Sequence, residues 1–224
     1  MPLAAVAGGL VGASGVYVAG RTSDGAAIRA YLLANPDVIP EAMDRLHDRE
    51  TGKLIAAHRD AIVRPYAGAW AGNPHGDVTV VEYFDYNCGY CRASLPTLAQ
   101  LVARDPQVRI VYRELPILAE TSRAAARASL AAAAAGPVQY RTFHAALYAA
   151  GSVSAATVAA AARAARVDLA RVPADADAEI DRNLAMAGTL SLNGTPAWVI
   201  GNRILAGAQP LETLEAAVKA AREK

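Results

Sequence analysis

Only two cysteines occur in the 224 residues, Cys88 and Cys91, and two residues separate them. Zinc is therefore short of ligands. A tetrahedral site built on one C-x-x-C needs two more donors, and the four histidines, His47, His58, His75 and His144, show no H-x(3–5)-H spacing. A disulfide used only as a staple would close a very short loop, which constrains the unfolded chain little. Charge of one sign is also lacking: a net charge of +1 denies the chain the electrostatic footprint of a nucleic-acid binder.

Met1 to Gly20 has no charged side chain, and no Lys or Arg precedes it as a signal's n-region should have. Its length is that of a marginal membrane span, but its glycines lower its hydrophobicity and make it a poor helix in water. Residues 1–25 are therefore expected to be a cleavable signal, with Val18 and Gly20 near the cleavage point, or an uncleaved anchor. Either route exports the cysteines to an oxidising compartment.

What is present begins with the stretch VVEYFDYNCGYCRASLPTLAQL, Val80 to Leu101. Val78 to Phe84 is rich in β-branched and aromatic residues, and Arg92 to Ala103 carries apolar residues at helical spacing. The cysteines sit where a strand becomes a helix. At the first turn, unpaired N–H groups and the macrodipole favour a thiolate, so Cys88 is the expected nucleophile. Cys91, one turn further in, is placed to resolve a mixed disulfide.

Alanine runs such as Ala131 to Ala135 favour helix without adding bulky core. Ala26 to Ile62 reads as interrupted helix, with Asn35-Pro36-Asp37 stopping one helix and capping the next, and with a break at Gly52. Glycines and Pro74 mark 65–76 as a linker. Gln107 to Glu114 alternates as a strand, completing a βαβ unit. Helices are expected at Ser122–Ala135, Gln139–Ala149, Ser154–Val167 and Asp175–Leu190. A hairpin follows, Pro196–Ile200 and Arg203–Ala206 about the turn Gly201-Asn202, then a terminal helix from Pro210 with dipole-matched charges.

These motifs together resemble the thioredoxin-fold disulfide oxidoreductases of the bacterial envelope, in particular the DsbA-like group with a helical insertion. C-G-Y-C follows the first core strand; Glu82 stands six residues before Cys88, where thioredoxins have a buried acid; Pro96 stands five after Cys91, where they have a helix-kinking proline. Thr195-Pro196 stands where the family has its cis-proline. GNPHGDVTVVEYFDYNCGYC with the upstream IRAYLLANPDVIPEAM looks most like the ScsC proteins, named for suppression of copper sensitivity, some of which are trimers held by the N-terminal segment. The resemblance implies an α/β fold: a thioredoxin fold over 77–224, a helical insertion at about 117–190, and an N-terminal helical oligomerisation segment over 26–64.

It also implies roles. Cys88 attacks and Cys91 resolves; Glu82, if alternation points it into the core, relays a proton for Cys91. A cis bond at Thr195-Pro196 would set the Thr195 main chain beside the Cys88 sulfur, to pair with an extended substrate. Tyr90 would line the substrate groove, and so would Trp198 unless it is core. The expected activity is an exported disulfide isomerase or reductase that needs no cofactor or metal. Its partners would be misoxidised or unfolded envelope proteins and a membrane redox partner, a reductase of the ScsB/DsbD type or a DsbB-type oxidase. Two alternatives stay open: a DsbA-type oxidase, and a copper-handling protein, since two thiolates suit Cu(I). Gly89-Tyr90 lacks the basic residue of strongly oxidising relatives, and with Thr195 it looks more like the isomerase DsbC.

Overall fold

The computed structural model describes residues 25–223, so the expected signal or anchor lies almost wholly outside the described residues. Among these residues, no helix is long and apolar enough to cross a membrane. The chain divides into two compact units, Met1–His47 and Asp48–Lys224.

In the first unit residues 25–34 form helix α1. The Asn35 main-chain and side-chain N–H groups both donate to the Tyr31 carbonyl, closing that helix before Pro36. Helix α2, Val38–Ala57, starts immediately after, and the division between the units falls within it. Ile39, Met43 and Leu46 recur at i, i+4 and i+7 on one face of α2, each about half or more exposed.

The second unit departs from the sequence expectation at its start. The 65–76 segment, expected to be a linker, contains strand β1, Trp70–Gly72, which pairs antiparallel with β3, Val108–Glu114. Ile55 of α2 and Ile62 of α3, Arg59–Val63, are buried in the core of this unit and do not belong to a separate appendage. Nor does Gly52 break α2. A Cβ there would meet the Asn202 side chain at 3.3 Å, so the glycine admits the hairpin turn against the helix.

The sheet order is β1-β3-β2-β4-β5, with β2 (Val78–Phe84) parallel to β3 and antiparallel to β4 (Ala197–Ile200), which pairs with β5 (Arg203–Ala206). The β4–β5 turn has Gly201 at φ 58°, the left-handed conformation that a two-residue hairpin requires. Helix α4, Gly89–Arg104, makes the crossover and runs through Pro96. Helices α5 (Glu120–Ala135), α6 (Pro137–Ala149), α7 (Ala155–Ala165) and α8 (Ala176–Thr189) intervene between β3 and β4, and α9 (Leu211–Arg222) ends the chain.

Both faces of the central strands are covered, so β2 and β3 are buried at every position but the second. Val80, Phe84, Ile110 and Tyr112 pack with Cys91, Leu98 and Leu101 of α4 and with Phe143 and Leu147 of α6. Val81, Tyr83 and Val111 pack on the opposite face against Ile55, Ile62 and Leu190. On that face the buried Arg113 pairs with Glu179 at 2.7 Å and donates to the carbonyls of Ile62 and Arg64, tying α3 and α8 to β3.

Candidate active site

Cys88 is the N-cap of α4: its Sγ accepts the Cys91 N–H at 3.2 Å, the place usually held by a serine or aspartate oxygen. The same sulfur lies 3.2 Å from the Thr195 carbonyl, to which its S–H donates. The Thr195–Pro196 peptide is cis. Residues more than a hundred positions apart therefore meet at one sulfur. Both cysteines are free thiols.

Beneath the pair, Glu82 is buried on the face of β2 between Tyr112 and Trp198. Its Oε2 has no hydrogen-bond partner, and burial, reinforced by the charge of Cys88, pushes its carboxyl up to about 8. Cys91 has no exposed surface; burial first, then the neighbouring Glu82, holds its thiol well above the ordinary range. The Cys91 sulfur is thus a neutral thiol beside a carboxyl pushed up to about 8. That arrangement can pass a proton between them.

Tyr90, between the cysteines, is 71% exposed, whereas Trp198 is wholly buried and donates Nε1–H to the Gly207 carbonyl. Trp198 is core and lines no groove. Two exposed apolar residues that the sequence did not single out, Ile117 and Leu118, follow β3. Behind the site, Phe84, Tyr86, Tyr112, His144 and Tyr148 pack ring to ring. Burial depresses His144 to about 3, so the imidazole is neutral, with Nδ1 3.0 Å from the Tyr86 hydroxyl. Nothing in its local sequence marks His144 as part of this floor.

The match to the DSBA-like thioredoxin domain spans residues 79–219, well over half of the chain. The chain belongs to the DsbA-like thioredoxin family. Residues 25–51 match a second family, the copper resistance protein ScsC N-terminal domain. The catalytic domain of Proteus mirabilis ScsC superposes with a TM-score of 0.72 at 28% identity, covering 77% of this chain and 99% of that one. A thioredoxin-like oxidoreductase from Silicibacter pomeroyi DSS-3 gives 0.68 at 42% identity, covering 74% and 98%. Among curated proteins, the Na(+)/H(+) antiporter NhaA 1 of Salinispora arenicola is 31% identical over 156 residues, 67% of this chain. This chain spans only 24% of that relative's length. The architecture is a DsbA-like thioredoxin fold with a helical insertion, as the CGYC and Thr-Pro motifs led us to expect.

Proposed function

We propose that this chain is a thiol–disulfide oxidoreductase of the cell envelope that reduces or rearranges disulfides in other proteins. The observation that carries this reading is the Cys88 sulfur at the cap of α4, bonded to the Cys91 N–H and beside the Thr195 carbonyl. The Cys88 thiolate attacks a client disulfide, one client sulfur bonds to Cys88, and the other leaves as a thiolate. In isomerisation that client thiolate attacks elsewhere in the client, and Cys88 is finally expelled unchanged. In reduction Cys91 loses its proton to Glu82 and attacks the Cys88 sulfur; the client leaves with two more electrons, and Cys88–Cys91 forms as a disulfide that an external reductant must reopen. Tyr90, Thr195 and Pro196 bind the client: the Thr195 main chain pairs with an extended segment, and Tyr90 meets its side chains.

A protein client suits the setting better than a small molecule. A cavity of about 670 Å³, lined by Tyr66, Tyr83 and Arg113 among others, lies on the other face of the sheet from the cysteines. The sulfurs have exposed Tyr90 beside them instead. Isomerase chemistry is favoured over oxidation because Gly89-Tyr90 adds no basic group to stabilise the thiolate further. Reduced protein in catalytic amount should restore activity to scrambled ribonuclease, and its disulfide form should oxidise reduced ribonuclease slowly. Fast oxidation with no unscrambling would leave a DsbA-type oxidase. Capture of Cu(I) in preference to thiol exchange with glutathione would favour the copper-handling reading.

Self-association belongs to the same proposal. Ile39, Met43 and Leu46 form an exposed apolar face costly to leave in water, and the ScsC N-terminal match covers it. Light scattering should give a multiple, on our reading a trimer, of the 23.2 kDa chain mass. Met43→Glu with Leu46→Glu should return it to that mass. A wild-type chain already monomeric would refute the assembly.

A further inference from the structure

Six hydrogen bonds converge on one residue that no motif above assigns. Asp85 follows β2 directly, three positions before Cys88, and is 2% exposed. Its Oδ1 accepts from the Asn87 N–H at 2.8 Å and the Ser122 hydroxyl at 2.8 Å; its Oδ2 accepts from the N–H groups of Ile117 at 2.8 Å and Leu118 at 2.9 Å. Four donors fill the acceptor positions of a carboxylate. Its carbonyl meanwhile accepts from the Cys88 N–H at 2.9 Å and the Tyr148 hydroxyl at 3.0 Å.

The six bonds tie together four segments: the cysteine turn, the loop after β3, α5 and α6. The Asn87 contact is an Asx turn, which sets the direction in which the chain enters Cys88. The Ile117 and Leu118 contacts fix the loop after β3, whose two exposed apolar side chains then stand one carboxylate away from the cysteine turn. Ser122 closes the group: its hydroxyl also accepts from the Ala119 N–H and the Asn87 amide, so the first turn of α5 joins the clasp. The second buried acid nearby behaves differently. Glu114 Oε1 has no partner, and burial holds that carboxyl well above its usual range. Both Asp85 oxygens are fully partnered, and Glu114 Oε1 is not.

We propose that Asp85 is a positioning residue for the exchange reaction, holding the Cys88 turn and the Ile117–Leu118 loop in one rigid frame so that sulfur and client-binding surface are presented together. Its carboxylate bonds to neither cysteine sulfur; only its main chain meets the Cys91 thiol. The inference rests on the exchange activity proposed above, but its geometry can be read separately. An amide at this position can accept with only one of its two arms, so the NH₂ of Asp85→Asn meets either the Ile117 and Leu118 N–H groups or the Asn87 N–H, and one of the two loops must be released.

The experiment compares wild type, Asp85→Asn and Ser122→Ala by three readouts. Amide hydrogen exchange should show Asn87–Cys88 or Ile117–Leu118 losing protection in Asp85→Asn, whether or not any client is turned over. Turnover of scrambled ribonuclease should fall on the order of tenfold, the cost of a small misplacement away from the chemistry. The plateau rate at which iodoacetamide alkylates Cys88 should change by less than about twofold, because the cap contact to the Cys91 N–H lies within α4 itself. Ser122→Ala, which leaves three donors in place, should move all three readouts the same way by less, and it decides the matter if Asp85→Asn fails to fold. Unchanged protection in both loops overturns the proposal. So does an equal fall in alkylation and turnover, which would make Asp85 a stabilising residue only. A wild-type protein inert toward ribonuclease would refute the exchange activity and with it the positioning role.

Discussion

Cys88→Ser should abolish disulfide exchange outright, while Cys91→Ser should complete the first step but lose the reductive release, accumulating chains covalently joined to their clients. The asymmetry follows from the two sulfurs' surroundings. Cys88 caps α4, where the unpaired N–H groups of the first turn meet the charge of a thiolate. Cys91 is fully enclosed and held as a neutral thiol by burial and Glu82. Serine is among the best N-cap residues, so Cys88→Ser keeps the hydrogen bond to the Cys91 N–H and should unfold at nearly the same denaturant concentration as the wild type. Its loss of activity is then chemical and not a loss of fold. Non-reducing gels of cell extracts should show mixed-disulfide bands for Cys91→Ser, dispersed by dithiothreitol, and essentially none for Cys88→Ser. Iodoacetamide should label Cys88 first in the reduced protein. Labelling of Cys91 first would invert the roles and sink the mechanism.

The strand, the cysteines and the helix after them were legible because three independent patterns coincide there: β-branched alternation, a strand-to-helix junction and a C-x-x-C. Strand β2 accordingly begins and ends at the residues the pattern marks, Val78 and Phe84. Three residues are too few to display a period, so Trp70–Gly72 looked like part of a glycine-rich linker. What makes it a strand is hydrogen bonding to the β3 edge, from Trp70 opposite Val111 to Gly72 opposite Arg109. A like limit hid Asp85, which stands between strand and helix and belongs to no periodic pattern. Its carboxylate acquires meaning only when Ile117 and Ser122, more than thirty positions away, arrive around it. Trp198 shows the reverse: an aromatic beside the Thr-Pro motif suggested a groove, yet alternation from Ala197 turns it into the core, where its indole N–H is satisfied by the Gly207 carbonyl.

Glu82→Gln should make the protein more stable and slower at once, with both effects set by pH. The folded carboxyl titrates at about 8 against an ordinary 4.5, because burial and the Cys88 charge disfavour its ionised form. Below 4.5 both folded and unfolded chains carry the proton, and burial of the neutral acid costs nothing in linkage. Between 4.5 and 8 the unfolded chain ionises while the folded one does not, so wild-type stability falls by about 1.4 kcal/mol per pH unit. Above 8 both are ionised and the loss is complete. Glutamine cannot ionise, so its advantage over the wild type should grow from near zero at pH 4.5 to roughly 3 kcal/mol at pH 7 and level off beyond pH 8. Urea unfolding of the two reduced proteins at several pH values measures this directly. Catalysis should move the opposite way. Once Cys88 is bonded to a client its charge is gone, so one of the two causes that keep Glu82 protonated disappears, and the carboxylate becomes available to take the proton from Cys91. Release of client thiol from the mixed disulfide should therefore accelerate with rising pH in the wild type and level off below the value of about 8 that holds while Cys88 carries its charge. In Glu82→Gln that release should be slower by about a hundredfold, the usual worth of a positioned general base, and should lose this inflection. A stability difference constant across pH would mean that Glu82 ionises as freely in the folded chain as in water, and the proton relay to Cys91 would fall with it.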